Sequence, residues 1–197
     1  MYITTWGPAN NSQLTSVYQS KSAVMSTRAF IQAVLTYTGA QKINVISHSM
    51  GVAIARKAIK GGPGIDHIAG NYDAGVSLAS HVKSFIGIAG VNLGLMQCIP
   101  NIAFSYCNKV DGLFPGATSF SSPSTFLANL NAMGGSEGQN VYTVWGKYDE
   151  LILNECVVWG KITCRINGQT AEIEKTTSDW GHFALRDRIG PDIIQWL

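Results

Sequence analysis

One stretch of the chain joins a short apolar strand pattern directly to a helical pattern. Residues 42–47, KINVIS, are apolar without strict alternation, which is typical of a strand covered on both faces. Residues 51–62, GVAIARKAIKGG, follow a helical pattern with cationic last turns and terminal glycines. Only residues 48–50 separate the two patterns. A buried strand that turns at once into a helix predicts a parallel sheet with helices on its faces.

Strand and helix patterns alternate along the rest of the chain as well, which predicts an α/β fold with a mainly parallel sheet flanked by helices. The 197 residues are enough for one core and too few to expect two, so we predict a single domain over residues 1–197. Residues 92–140 form a long segment between two predicted strands, which we call the excursion. It is either a functional segment or a plain surface loop. Further strands are predicted at 2–6, 84–91, 141–146 and 171–177, and further helices at 22–37 and 183–197.

Composition and charge narrow the classes of function. Apolar residues make up 46% of the chain and charged residues 13%, as expected for a folded protein. The net charge is only +2, and the basic residues form no run. Both observations argue against a nucleic-acid partner and a polybasic membrane anchor. No stretch approaches the roughly 18 apolar residues of a membrane span, and the opening MYITTWGPANN lacks the regions of a signal peptide. We therefore expect a soluble protein with a neutral or small substrate.

The four cysteines fall into two close pairs, Cys98 with Cys107 and Cys156 with Cys164. Each pair could be closed by a local disulfide, which favours an oxidising compartment. The alternative is four buried thiols in a cytosolic protein. Residues 10–12, Asn-Asn-Ser, also match a glycosylation sequon, a pattern short enough to arise by chance.

Ser49 lies in the turn between the buried strand and the helix. A nucleophilic serine in such a turn is held in a strained backbone conformation, which requires small residues two positions before and after it. Ser47 and Gly51 occupy these positions and meet the requirement. The helix that follows would place its N-terminus beside a developing oxyanion. We predict that Ser49 is a catalytic nucleophile; the alternative is a structural serine in a tight turn.

A nucleophilic serine needs a base, and the chain has four histidines. His182 follows the last predicted strand in a glycine-containing loop, where the carboxyl edge of a parallel sheet would place a base. His48 is adjacent to Ser49 and is expected to point elsewhere, as a packing residue. His67 and His81 lie in a loop-like region and have no evident role. We therefore predict that His182 is the base.

The base in turn needs an acid to orient it. Asp149 follows the strand at 141–146 after a short loop, again at a carboxyl end, where ligand sites of open α/β sheets gather. Glu150 and Asp179 are the competing candidates, and Asp149 is favoured. The chain order Ser49, Asp149, His182 is that of the α/β-hydrolase triad.

These residues resemble the class 2 triacylglycerol lipases, which include small secreted bacterial enzymes and nematode relatives. The resemblance implies an α/β-hydrolase fold, with Ser49 as nucleophile, Asp149 as acid, His182 as base and the backbone N–H of Met50 as one oxyanion donor. The cysteine pairs also look like those of the secreted nematode members. Four segments carry the resemblance: INVISHSMGVAIARKAI (43–59), FIGIAGVNLG (85–94), VYTVWGKYDELI (141–152) and DWGHFALR (179–186).

The chain departs from the family pattern at its start. Family members carry, upstream of the part that matches Met1, a secretion signal and a strand whose His-Gly loop supplies the second oxyanion N–H. In the family's sheet that strand lies between those matching residues 2–6 and 43–47. We therefore expect an N-terminally truncated version of the fold, in which these two strands pair directly or an edge beside Ser49 is uncovered. The full-length form is expected to be secreted.

The leading hypothesis is a serine ester hydrolase of lipase or carboxylesterase type that acts through an acyl-enzyme. It needs no metal or organic cofactor, and its partner is a lipid or other carboxylic ester, with transient contact to a lipid interface. One rival is a vestigial lipid-binding protein that lacks half of the oxyanion hole. Another is an acyltransferase or thioesterase with the same triad. Candidate residues for an apolar mouth, each of which could equally be an ordinary core residue, are Leu93, Leu95, Met96, Phe104, Phe114 and Phe120.

Overall fold

Four parallel strands form the central sheet in a computed structural model that describes residues 1–7 and 16–197. Helices flank this sheet, so the predicted α/β class is confirmed. The sheet order is β1, β4, β5, β8, and two short two-stranded sheets, β2 with β3 and β6 with β7, lie outside it. In chain order, the helices and strands are α1 (Lys21–Thr38), β1 (Ile43–His48), α2 (Met50–Lys60), β2 (Pro63–Asp66), β3 (Gly70–Asp73), β4 (Val82–Ile88), α3 (Thr125–Ala132), β5 (Asn140–Gly146), β6 (Val157–Val158), β7 (Lys161–Ile162), β8 (Ala171–Lys175), α4 (His182–Arg188) and α5 (Gly190–Ile193).

The strand register brings the carboxyl ends of the central sheet to one edge. His48 at the end of β1 pairs with Ile88 at the end of β4, and Ile88 pairs in turn with Val144 of β5. Gly146, the last residue of β5, pairs with Lys175, the last residue of β8. Since all three pairings are parallel, the loops that leave β1, β5 and β8 start from the same edge.

The core lies between this sheet and its helices. Helix α2 is buried along its whole length, and its Ile54 and Ile59 belong to the same apolar cluster as Phe85 of β4. Helix α1 is capped at its start by the Ser20 side chain and ends at Gly39, whose φ of 65° favours glycine. Helix α2 fixes the orientation of the turn at Ser49, because it begins immediately after it.

The predicted strand at 2–6 is wrong. Residues 1–5 have no regular structure, and β1 has a strand partner on one side only within the described part of the chain. Of the two expected arrangements, the direct pairing with residues 43–47 is not observed, and β1 is instead an edge strand of the central sheet within the described part of the chain. The β-branched and aromatic residues at 2–6 favour an extended chain, but a strand also needs a partner for its backbone groups.

The predicted helix at 183–197 is broken into pieces. Helix α4 ends at Arg188, α5 starts at Gly190, and a 3₁₀ turn covers 194–196. Pro191 lies in the first turn of α5. Proline has no N–H to donate and disfavours a helical conformation in the residue before it, so a helix can start there but does not run through.

The excursion is mostly irregular, as expected, and a disulfide joins its Cys98 and Cys107. Helix α3 within it and the β2–β3 hairpin were not predicted, because short elements leave too little periodicity to be recognised. The second predicted disulfide is wrong: Cys156 and Cys164 are buried free thiols, and Cys156 Sγ faces the carbonyl oxygen of Gly146 at 3.7 Å. Burial, together with Cys156, raises the pKa of the Cys164 thiol well above its usual value.

The sequon at residues 10–12 lies outside the described residues. No helix in the described ranges is both long and apolar enough to span a bilayer.

Candidate active site

Ser49 adopts the strained conformation that its sequence context predicts. Its φ of 59° and ψ of −134° lie where non-glycine residues rarely occur. Two backbone hydrogen bonds hold it there: Ser49 N donates to Ile88 O over 2.9 Å, and Ser49 O accepts from Val52 N over 3.0 Å. The end of β4 and the first turn of α2 thus clamp the turn between them.

The need for a small residue at position 51 has a specific cause. A Cβ on Gly51 would lie 3.0 Å from Nε1 of Trp6, whose indole packs against the core. On the other side of the turn, the Ser47 hydroxyl is buried without a hydrogen-bond partner among the described residues. As the first residue of α2, Met50 has a backbone N–H without an acceptor inside the helix, as an oxyanion donor requires.

Asp149 and His182 are in direct contact. His182 Nδ1 and Asp149 Oδ2 are 2.7 Å apart, and both side chains are almost fully buried. The other oxygen of Asp149 accepts from the backbone N–H groups of Leu151 and Ile152, over 3.0 and 2.8 Å. The carboxylate is therefore fixed by its own loop, and it fixes the orientation of the imidazole.

Two glycines permit the close approach of the loops that carry this pair. A Cβ on Gly146, at the end of β5, would collide with the carbonyl oxygen of Trp180. A Cβ on Gly181, just before His182, would collide with the carboxylate of Glu150. A larger residue at position 146 would require the Trp180 backbone to shift, and one at position 181 would require the Glu150 carboxylate to move.

The two competing acids have other contacts. Asp179 is bound at the surface to Thr177 and Arg188. Glu150 Oε2 accepts the backbone N–H of His182 over 2.7 Å, and so anchors the start of α4. Sequence reasoning missed this role of Glu150, because nothing in the local pattern shows that position 150 faces a backbone group 32 residues away.

His48 and His182 pack against each other, with ring centroids 4.4 Å apart. His48 Nε2 lies 3.0 Å from the His182 carbonyl oxygen and can only donate to it. Burial and then the neighbouring His182 lower the pKa of His48 to about 4, so His48 is neutral at physiological pH. The residue that precedes Ser49 thus anchors the backbone of His182. Within the described ranges, no hydrogen bond joins Ser49 Oγ to His182, and such bonds often form only with substrate present.

This buried histidine predicts that the protein loses stability in mild acid. The folded-state pKa of about 4 lies below the ordinary value of 6.5, so the unfolded chain binds a proton first as pH falls. The contribution is intact above pH 6.5 and is lost progressively towards pH 4, by on the order of 3 kcal/mol. Urea unfolding at several pH values should show a flatter dependence for His48→Gln, whose amide can still donate to His182 O. Equal slopes for both proteins would contradict the prediction.

The other histidines lie elsewhere. His67 Nδ1 is 2.8 Å from Asp111 Oδ1, and His81 Nδ1 is 3.1 Å from Gln41 O. Neither contacts the pair formed by Asp149 and His182, in agreement with their exclusion from the predicted site.

The candidate apolar residues divide by burial. Leu95 and Phe114 are buried, whereas Phe104 and Phe120 are exposed, the latter to 99%. Leu93 and Met96 are partly buried. The surface beside the acid and base instead carries exposed apolar residues that were not predicted: Leu151, Leu153 and Phe183.

Comparisons with solved structures show the fold. Bacillus licheniformis lipase BlEst2 in mature form is 13% identical, with 87% of this chain and 73% of that chain covered and a TM-score of 0.51. A truncated form of a carbohydrate esterase from gut microbiota is 12% identical, with 89% and 67% covered and a TM-score of 0.52. This protein is thus similar to α/β-hydrolases in its architecture. No curated protein matches its sequence.

A comparison with protein families identifies the family of the chain, whereas the structural similarity shows its fold alone. Residues 1–188 match the family described as Lipase (class 2). The match covers nearly the whole chain, including the strained turn at Ser49 and the loops that carry Asp149 and His182. The chain therefore belongs to the class 2 lipase family and is a hydrolase of the lipase and esterase type.

Proposed function

We propose that the chain hydrolyses carboxylic esters through a covalent acyl-enzyme formed on Ser49. The observation that carries the proposal is the buried 2.7 Å contact between His182 Nδ1 and Asp149 Oδ2, at the sheet edge where Ser49 follows β1. An aspartate on Nδ1 leaves Nε2 of the imidazole as a proton acceptor. The strained turn, the free N–H of Met50 and the His48 anchor support the same assignment.

The chemistry divides into two half-reactions. In the first, Ser49 Oγ attacks the ester carbonyl carbon while His182 Nε2 takes its proton. The carbonyl oxygen becomes negatively charged and is stabilised by the Met50 N–H at the start of α2. His182 then gives the proton to the departing alcohol oxygen, leaving the acyl group on Ser49. In the second, water attacks the acyl carbon by the same steps, and the carboxylic acid and free Ser49 are released.

The surroundings of the pair favour substrates with an apolar acyl chain. Leu151 and Leu153 follow Asp149, and Phe183 follows His182, with its ring edge-on to the imidazole at 5.6 Å. These side chains are between 39% and 47% exposed, so they offer apolar surface beside the reacting groups. Gln97 of the excursion donates to Leu151 O over 2.8 Å, which connects the excursion to this surface.

Covalent labelling tests the proposal directly. The native chain should react with a fluorophosphonate probe at Ser49, and heat-denatured protein should not, because an unfolded serine lacks its base. Initial rates on p-nitrophenyl esters of increasing chain length then define the acyl preference. A chain that is folded by circular dichroism yet stays unlabelled would contradict the proposal and favour a lipid-binding scaffold without turnover.

The compartment is a separate part of the proposal. We infer that the natural protein is secreted, as in the nematode-type members that it resembles. The Cys98–Cys107 disulfide supports an oxidising compartment. Fractionation of cells that express the natural gene tests this, and a purely cytosolic protein would contradict it.

A further inference from the structure

A second cluster of carboxylates and imidazole lies at the far end of α2. Asp66 ends β2, His67 follows it, and Asp111 reaches them from the excursion. One ligand atom from each residue lies within 4.8 Å of the other two. Helix α2 starts at the Ser49 turn and has 11 residues, so it spans about 16 Å between the candidate active site and the hairpin that carries this cluster.

The cluster brings two buried carboxylates together with one imidazole. Asp66 and Asp111 are 3% and 0% exposed. The carboxylate of Asp66 accepts hydrogen bonds from the backbone N–H groups of Lys21, Ile68 and Ala69. Asp111 accepts from His67 Nδ1, His67 N and Asn108 Nδ2, a set of donors that suits a carboxylate.

Few cations are available to balance these charges. Among the described residues, His67 is the sole ionic partner of Asp111, and Asp66 has none within 4.0 Å. Residues 8–15 read PANNSQLT and contain no lysine, arginine or histidine, so they add no cation either. Proteins balance buried charges by hydrogen bonding, by ion pairing or by metal coordination.

The carboxylates keep lone pairs for a further ligand. Asp66 Oδ2 accepts one hydrogen bond, from Lys21 N over 2.7 Å, and Asp111 Oδ2 accepts one, from His67 N over 3.0 Å. A carboxylate oxygen has two lone pairs, so each of these oxygens can still bind a cation.

Tyr72 supplies an independent sign of a ligand. Its hydroxyl is buried without a hydrogen-bond partner in the described part of the chain, and the residue is 8% exposed. Tyr72 pairs with Gly64 across the β2–β3 hairpin, so its side chain shares a face with Asp66, two residues further along. Burial, and after it the charges of Asp66 and Asp111, raise the pKa of this hydroxyl. A buried phenol normally has a partner, and a cation or its water would provide one.

We propose that Asp66, His67 and Asp111 bind one zinc-type divalent cation, with the Tyr72 hydroxyl beside it. Two carboxylate oxygens and one imidazole nitrogen suit zinc, whereas calcium and magnesium prefer oxygen ligands alone. His67 Nδ1 and Asp111 Oδ1 are 2.8 Å apart, close to the roughly 3 to 3.5 Å between neighbouring ligands of one zinc ion. The ion would replace the proton that these atoms share, and the imidazole would carry its proton on Nε2.

The role of such an ion is structural, in contrast to the cofactor-free chemistry proposed for Ser49. It would join the β2–β3 hairpin to the excursion through Asp111. Asp66 also accepts the backbone N–H of Lys21, so the start of α1 is connected to the same point. The partly exposed His67 side chain gives the ion a path from solvent.

Metal titration of the untagged, chelator-treated full chain tests the proposal. We expect one Zn²⁺ per chain by calorimetry and a melting temperature that rises with added Zn²⁺. His67→Gln should weaken Zn²⁺ binding by at least about 100-fold, because a nitrogen ligand is lost. His81→Gln, which removes an exposed histidine far from the cluster, is the matched control and should bind like the parent chain. Tyr72→Phe should melt no lower without metal and bind Zn²⁺ several-fold more weakly.

Two outcomes would overturn the proposal. One is Zn²⁺ binding that is absent at micromolar concentration or equal in the parent chain and His67→Gln. The other is stabilisation by Ca²⁺ alone that does not depend on His67. Neither outcome affects the ester-hydrolase proposal, since fluorophosphonate labelling of Ser49 is read separately.

Discussion

Ser49→Ala is expected to lower ester turnover by at least about 10⁴-fold, since no other group can form the acyl-enzyme. The variant should fold normally, because alanine fits the space of serine and Ser49 Oγ makes no hydrogen bond to His182 in the described structure. Steady-state rates on a p-nitrophenyl ester give the size of the loss, and labelling by a fluorophosphonate should disappear with it.

Because the backbone at Ser49 is strained, a glycine at this position should also change the stability of the protein. At φ 59° and ψ −134°, Ser49 and its alanine variant carry a conformational cost that glycine does not. Ser49→Gly should therefore be inactive yet more stable than Ser49→Ala by about 1 kcal/mol, which is about 2 to 4 °C in melting temperature for a chain of this size.

Ser47→Ala is the matched control for both measurements. Its hydroxyl is buried without a partner, so its removal should cost neither stability nor turnover. Full activity of Ser49→Ala would show that another residue is the nucleophile. A Ser49→Gly variant that is less stable than Ser49→Ala would contradict the interpretation that the turn is strained.

Asp149→Asn is expected to reduce turnover by about 10⁴-fold. The new amide oxygen can keep accepting from Leu151 N and Ile152 N, so the loop should retain its shape. The amide nitrogen would then face His182 Nδ1 and donate to it, which forces the imidazole proton onto Nε2. In that tautomer His182 cannot take a proton from Ser49.

Two neighbouring acids serve as controls for this result. Asp179→Asn changes a surface contact with Arg188 and should leave turnover within about twofold, as is usual for surface sites away from the chemistry. Glu150→Gln keeps an oxygen that can accept the backbone N–H of His182, so it should retain most of the activity. A larger loss of turnover in Asp179→Asn than in Asp149→Asn would show that Asp149 is not the acid.

Much of the candidate site could be predicted because its signals are local. The small residues around Ser49 follow from the geometry of one turn, and Asp149 and His182 each come after the loop that leaves a strand. Contacts across the fold gave no such signal. The anchoring of His182 by Glu150 and His48, and the packing of Trp6 on Gly51, depend on loops that meet only after the sheet has formed.

The wrong predictions have the same origin. The residues at 2–6 have strand propensity, but the fold provides no strand beside them, and the last helix is interrupted where Pro191 cannot continue it. The spacing of Cys156 and Cys164 resembles that of Cys98 and Cys107, yet only Cys98 and Cys107 are bonded. Spacing along the chain limits which sulfurs can meet, and their orientation depends on the packing around each one.

The sequence by itself determined the α/β class, the strand–turn–helix at Ser49 and the predicted order of nucleophile, acid and base, because these depend on periodicity and on steric demands within a few residues. Only the tertiary structure decided which acid contacts His182, which cysteines are joined, and that Asp66, His67 and Asp111 meet in one cluster. The contact between Asp149 and His182 joins residues 33 apart in the chain, and the contact between His67 and Asp111 joins residues 44 apart. No local pattern encodes the distance between such parts, since packing and burial of the whole chain set it.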